Sequence, residues 1–233
     1  NVMKKMLLII MLLHAFSLHA QDMKSLFIAM PDSVAPLLTK VNREDCVDFL
    51  ASDMKAEVKN RFGKVSELKK LTHDYLFMQT TQSSSMEMKL LPLNDSVKVI
   101  CMVNTVCGPA CDSEIRFYDT QWRQLTRNDF IQVPSAGDFF LQVDTLVDET
   151  YVAIRRKADM ELVKAALAED KSILSFIYTT PDYLTKEERE KLVVYIRQQP
   201  IIYEWKAGKF QWVTSMLQKK KRGCSLWNSS FFC

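Results

Sequence analysis

Histidine and glycine are scarce in this 233-residue chain, and each scarcity closes off a class of chemistry. Three histidines are present. His14 and His19 lie in the first twenty residues, which leaves His73 alone in the body. A Ser-His-Asp or Cys-His machine would have to run through His73, and a multi-histidine metal site is excluded. His73 and Asp74 are sequence neighbours, and neighbours on a strand point to opposite faces, so a partly exposed structural histidine is expected. The five glycines form neither GxGxxG nor GxxxxGK(S/T), the patterns that bring backbone N–H groups up to a phosphate. No nucleotide loop, cofactor or metal site is expected. Charge of one sign is missing as well: 31 basic residues face 28 acidic ones. Setting aside Lys4, Lys5 and the run Lys219–Arg222 leaves a slightly acidic body, without the basic footprint of a nucleic-acid binder.

Hydrophobic residues make up 48% of the chain, enough to bury a core without disulfides. No stretch reaches the roughly 20 apolar residues of a membrane-spanning helix. One short run does stand out. Lys4-Lys5 precedes Met6–Leu13, and a polar break ends in Leu18-His19-Ala20 before Gln21-Asp22. Positive charge, a short apolar core and a small residue at the cut make a secretory signal peptide. Residues 1–20 are therefore expected to be removed near Ala20, and the mature chain to be periplasmic or secreted. No cysteine stands at that cut, so a lipid anchor is not expected.

Along the rest of the chain the patterning changes twice. Asp32 to Lys40 reads as a short helix with Asp32 as its cap, and Asn42 as the cap of a helix from Arg43 to Arg61, with Val47, Leu50, Met54 and Val58 on one face. Gly63 is placed at its end. Period-two alternation follows at Asp74 to Thr81, Met86 to Leu90, Val97 to Val103 and Glu114 to Phe117, with turn signals between. Phe139 to Val143 and Tyr151 to Arg155 look like further strands, and Asp159 like the cap of a helix over Met160 to Ala168. Ile173 to Thr179 reads as a strand. Thr185 and Glu188 form a T-x-x-E capping box. Ile201 to Trp205 and Phe210 to Val213 make a last hairpin around Ala207-Gly208. The expectation is α+β, helices packed on an antiparallel meander, with a topology resembling the β-lactamase-inhibitor-protein type of layered fold. Residues 21–213 are expected as one domain, with a possible division near 119–156, and residues 214–233 as an irregular basic, Cys-containing tail.

Cys107-Gly108-Pro109-Ala110-Cys111 is the sharpest local motif. It resembles the thioredoxin CGPC box with one residue inserted. That box needs a helix N-terminus to activate its first cysteine, whereas Ser113 to Tyr118 alternates like a strand. A disulfide closing a hairpin tip is the expectation, with redox or metal chemistry and a pair of free thiols as the other readings. Cys46 and Cys101 are expected as buried thiols. Asp182, Glu187, Glu188 and Glu190 could pass for paired glycosidase carboxylates, but a helix cap explains the first-turn acids. Tyr203, Trp205, Phe210 and Trp212 alternate across the last hairpin, either as a ligand or glycan platform or as cross-strand packing on a core. Asp32-Ser33-Val34, Asp95-Ser96-Val97 and Asp144-Thr145-Leu146 are similar to the O-glycosylation acceptor motif of exported Bacteroidetes proteins, which makes Ser33, Ser96 and Thr145 candidate sites, Ser96 first because it lies in a turn.

Ser25-Leu26-Phe27, Met30 to Thr39, Tyr178-Thr179-Thr180-Pro181, Tyr183-Leu184-Thr185 and Tyr203-Glu204-Trp205 together resemble an uncharacterised family of exported Bacteroidetes proteins, over residues 21–213. The resemblance implies a location and a single-family architecture. It brings no catalytic residue with it. The expectation from all of this is an exported protein that binds or scaffolds rather than catalyses, its partner an envelope protein or a polysaccharide. The alternative is an envelope thiol-disulfide oxidoreductase using Cys107 and Cys111.

Overall fold

Two antiparallel meanders in succession make up most of the chain, and the amphipathic alternation of their strands decides what lies on each face. A computed structural model describes residues 22–142 and 149–213. The expected signal segment, Thr145 and the tail 214–233 lie outside the described residues. The first sheet has seven strands in sequence order: β1 (Glu57–Lys59), β2 (Val65–Leu71), β3 (Tyr75–Thr81), β4 (Ser84–Pro92), β5 (Lys98–Cys107), β6 (Cys111–Asp119) and β7 (Gln124–Leu125). Its long central pairs run Ser84↔Val106 to Pro92↔Lys98 and Val99↔Asp119 to Cys107↔Cys111. The second sheet has four strands, β8 (Val163–Leu167), β9 (Ile173–Tyr178), β10 (Ile201–Lys206) and β11 (Lys209–Trp212), in the order β11-β10-β9-β8. With the helices, this is the α+β class.

The first sheet is buried on both sides. Leu68, Leu76, Met78, Met86, Met88, Leu90, Ile100, Met102 and Tyr118 face the helices α1 (Met23–Ala29) and α2 (Lys40–Ala51). The intervening residues Tyr75, Leu91, Val99, Cys101, Val103, Ile115 and Phe117 face the second sheet and meet Ala165, Leu167, Leu174, Phe176 and Tyr203. Helices α3 (Glu149–Lys157) and α4 (Lys186–Leu192) add Ile154 and Leu192 to that second core. The layers are therefore helix pair, large sheet, small sheet, with one core on either side of the large sheet.

Several local expectations are corrected by tertiary contacts. Asp32 to Lys40 is not a helix: Asp32 to Leu37 is a run of turns, and Lys40 begins α2. Arg43, 1% exposed, donates from Nη1 to Asp32 Oδ1 (3.1 Å) and Leu38 O (2.8 Å), and from Nη2 to Met30 O. Asp32 also pairs with Arg61, so its carboxylate ties two arginines instead of capping. The cap of α2 is Thr39, with Asn42 closing the capping box. That helix stops at Ala51, and the spacing Val47…Val58 spans a helix and then β1. Gly63, at φ +70°, sits in the β1–β2 turn, where the Asn60 side chain accepts from the N–H groups of Phe62 and Lys64.

Of the strand expected over Phe139 to Val143, Phe139 ends a 3-10 turn (Ala136–Phe139), Phe140 makes an isolated bridge to Ile196 and Val143 lies outside the described residues, while Tyr151 to Arg155 lies in α3. Glu149 in its first turn and Arg155, Arg156 and Lys157 in its last complement the helix dipole. Met160 to Ala168, expected as a helix, contains β8. Its helix-favouring alanines yield to a tertiary setting that uses the strand's backbone.

Candidate functional site

The disulfide is the natural place to begin. Cys107 and Cys111 are joined at the tip of the β5–β6 hairpin, where Gly108 and Pro109 are exposed and the Gly108–Pro109 peptide is cis. Neither sulfur lies at a helix N-terminus, which is what activates the first cysteine of a thioredoxin-like box.

The residues that follow the bridge dock the second sheet. The β8 strand is an edge strand, and an edge exposes unpaired N–H groups. Here those groups turn onto side chains of the first sheet. Val163 N donates to Asp112 Oδ1 (3.2 Å), Ala165 N to Ser113 Oγ (2.9 Å), and Leu167 N to Glu87 Oε2 (2.7 Å). Beside them Thr179 Oγ1 donates to Cys111 O. Past the end of β8, Lys89 Nζ donates to Glu169 O (2.6 Å) and Lys70 pairs with Glu169 (3.0 Å). Read by partner, β8 crosses from β6 over β4 toward β2. Every second amide along it is held by a side chain.

Two of those partners are charged residues inside the inter-sheet layer. Lys89 is 2% and Glu87 7% exposed. Lys89 Nζ lies 2.9 Å from Asp74 Oδ2, whose side chain is 43% exposed, and 5.8 Å from the Tyr75 ring centroid. Burial pushes the Glu87 carboxyl above its usual range, against the Leu167 N–H, Lys164 and the Tyr75 hydroxyl, which favour its charge. Burial likewise raises the Tyr75 hydroxyl, with the Glu87 charge beside it adding to the shift. These groups serve backbone and each other and line none of the open grooves described below.

A groove of about 290 Å³ opens on the opposite face of the large sheet, below the area the helices cover. Its wall is Val34 to Leu38, and its floor includes Thr80, Ser84, Asn104, Val106, Glu114 and Arg116. Arg43 fixes the wall by holding Met30 O and Leu38 O on either side of it. The wall and Val106, which is 62% exposed, are apolar. Glu114 and Arg116 form a salt bridge at 2.8 Å, so the floor's one carboxylate is paired. That composition suits recognition through an apolar contact with polar edges. Two other grooves have more polar linings. One, of about 600 Å³, lies beside β2 and β3 with Lys64, Glu67, Gln79 and Gln82, and the other, of about 300 Å³, beside β7 with Gln124 and Arg127.

The remaining sequence-derived candidates separate clearly. Tyr203, Trp205 and Phe210 are 4%, 8% and 4% exposed, and Trp212 is half-buried. They share one face of the hairpin through the pairs Tyr203↔Trp212 and Trp205↔Phe210, but that face looks inward. Trp205 stacks with Phe130 at 6.2 Å and Phe117 at 6.4 Å, and its Nε1 donates to Pro92 O (2.7 Å). Of the two readings of this set, cross-strand packing on a core fits the burial and a ligand or glycan platform does not, because the hairpin supplies the second sheet's inner face. Ser33 and Ser96 are both exposed in turns, Ser96 with its N–H on Asn94 Oδ1 (3.0 Å). Cys46 and Cys101 are free and buried, and burial lifts the Cys46 thiol to about 11. His73 is exposed in a turn, and its carbonyl accepts from Met23 N (2.8 Å). Glu188 closes the α4 capping box with Thr185 and binds Lys157 (2.6 Å), and Glu187 binds Lys191. Among the described residues no group of three or more His, Cys, Asp or Glu side chains is placed to hold a metal ion.

Arg43, Glu87, Lys89 and the groove were missed from sequence. A signal for the buried pair was present: β5 reads Val99-Ile100-Cys101-Met102-Val103, apolar in both phases, which marks a strand covered on both faces. Its neighbour β4 must then bury Glu87 and Lys89.

The comparisons with known proteins agree with this picture at the level of fold. A family model described as "Protein of unknown function (DUF3256)" matches residues 15–210. A solved structure entitled "Structure of a domain of an uncharacterized protein from Porphyromonas gingivalis W83" aligns with TM-score 0.74 and 29% identity, covering 83% of this chain and 100% of that one. No curated protein matches the chain.

Proposed function

The chain belongs to the DUF3256 family of proteins of unknown function, and we propose that it is an exported, non-enzymatic binding or scaffolding protein whose recognition surface is the groove under Val34–Leu38. The observation that carries this reading is the distribution of its reactive groups. The disulfide closes a hairpin tip, the buried charges hold backbone, and the groove joins an apolar wall to a self-paired floor. The apolar run after Lys4-Lys5 supports export, and a disulfide fits an oxidising compartment. The partner is an envelope protein or a polysaccharide. Ser33 and Ser96, exposed in turns, are proposed O-glycosylation sites, with Thr145 as a third.

The test is expression of the full chain in a Bacteroidetes host, followed by fractionation, intact mass and thiol alkylation across a glutathione series. Export predicts a mature N-terminus near Gln21 and a Cys107–Cys111 bridge that resists the glutathione series and yields only to a stronger dithiol reductant. Added hexose mass at Ser33 or Ser96 supports modification, and an unmodified mass overturns that part. A photo-crosslinker at Val106 is expected to label an envelope component, with the adduct lost in Leu37→Glu. Cytoplasmic retention, or catalysis of insulin reduction through Cys107, overturns the assignment in favour of the oxidoreductase.

A further inference from the structure

We propose that the Cys107–Cys111 bridge is a reducible latch on the docking of the second sheet. A dithiol donor that opens it releases the first half of β8 and leaves the seven-stranded sheet folded.

The inference rests on which atoms the bridged tip positions. Cys111 O, Asp112 Oδ1 and Ser113 Oγ are consecutive acceptors, for Thr179 Oγ1, Val163 N and Ala165 N. All three lie within two residues of the bridge. The second half of the strand is held elsewhere. Leu167 N is bound by Glu87 and Glu169 O by Lys89, both on β4, away from the tip. A change at the tip therefore acts on β8 as a gradient, strongest at Val163 and weakest at Leu167. The bridge can be reached, because its sulfurs are half-buried and Gly108 and Pro109 between them are exposed.

The chemistry balances as an exchange. One thiolate of the donor attacks a bridge sulfur, the protein S–S bond breaks and a mixed disulfide forms. The donor's second thiol then displaces the other protein sulfur. The chain gains two thiols, and the donor leaves as a disulfide. Reduction removes the covalent limit on the tip. The β5–β6 ladder then frays from Cys107↔Cys111 through Thr105↔Ser113, while the pairs from Asn104↔Glu114 downward persist.

Site-resolved hydrogen exchange on the full chain carrying Cys224→Ser and Cys233→Ser, oxidised and then reduced with dithiothreitol, tests the latch. Val163 and Ala165 amides are expected to exchange about tenfold faster or more relative to Leu76 and Met88 amides of the large sheet, with Leu167 changing least among the three. Asp112→Ala with the bridge intact is expected to free Val163 in the same way, which keeps the test independent of whether a cysteine-free variant folds. A uniform rise across both sheets, or unchanged exchange at Val163 and Ala165, overturns the proposal.

Discussion

Removing the half-exposed Asp74 is expected to damage the protein more than removing its buried partner Lys89. The two lie 2.9 Å apart, with side-chain exposures of 43% and 2%. In Asp74→Asn the ammonium stays desolvated without its counter-charge. Breaking a buried pair this way costs about 3–5 kcal/mol. Glu169 O remains as one acceptor, which places the cost near the lower end, about 3 kcal/mol. In Lys89→Met no charge is stranded, because Asp74 reaches water. The loss is the bond to Glu169 O, about 1 kcal/mol, offset in part by an apolar stem in an apolar layer. Asp74→Asn should therefore be about 2 kcal/mol the worse. For a chain of this size that is a gap of about 4–8 °C in Tm. Urea unfolding at constant m-value gives the difference directly. Lys89→Met as destabilising as Asp74→Asn would refute the assignment of Lys89 as a buried, pair-dependent charge.

Glu87 gives a pH prediction. Its folded pKa is raised, mainly by burial, so the stability it contributes is full below the ordinary glutamate range and is lost as pH rises through the elevated value. Glu87→Gln should thus gain on the wild type in urea midpoints as pH rises from the ordinary glutamate range through the elevated value, and a difference independent of pH sinks the idea. Cys107→Ser with Cys111→Ser opens a five-residue ring, which loop entropy values at about 2 kcal/mol, or a fall of about 4–8 °C in Tm. An unchanged Tm would show that strand pairing alone fixes the tip.

The central meander was legible because β3 to β6 are rich in strand formers and turn signals separate them, and the Thr185 capping box was legible because it is local. So was the hairpin around Gly208. Its φ of +79° needs glycine, and a Cβ there would come within 2.9 Å of Leu93 Cδ1. What stayed hidden depends on partners far away in sequence. Met30 to Thr39 is shaped by Arg43 and Arg61 rather than by its own residues. The Ala-rich β8 has helix propensity and is a strand because it pairs along β9 on one side while Asp112, Ser113 and Glu87 take its amides on the other. The last hairpin's aromatics could be placed on one face and favoured as core packing, but their partners, Phe117 and Phe130, could not be named, since that needs to know what the second sheet covers. Lys89 and Glu87 were masked by an alternation that usually means solvent.

The capture of β8 by side chains has an evolutionary side. A backbone ladder uses groups every residue possesses, so substitutions leave its hydrogen bonds nearly untouched. The outward amides of β8 are instead held at positions 87, 112 and 113, each of which a single codon change can rewrite. The orientation of one sheet on the other is thus a heritable variable, open to adjustment by selection, while the strand order within each sheet is conserved by the chain itself.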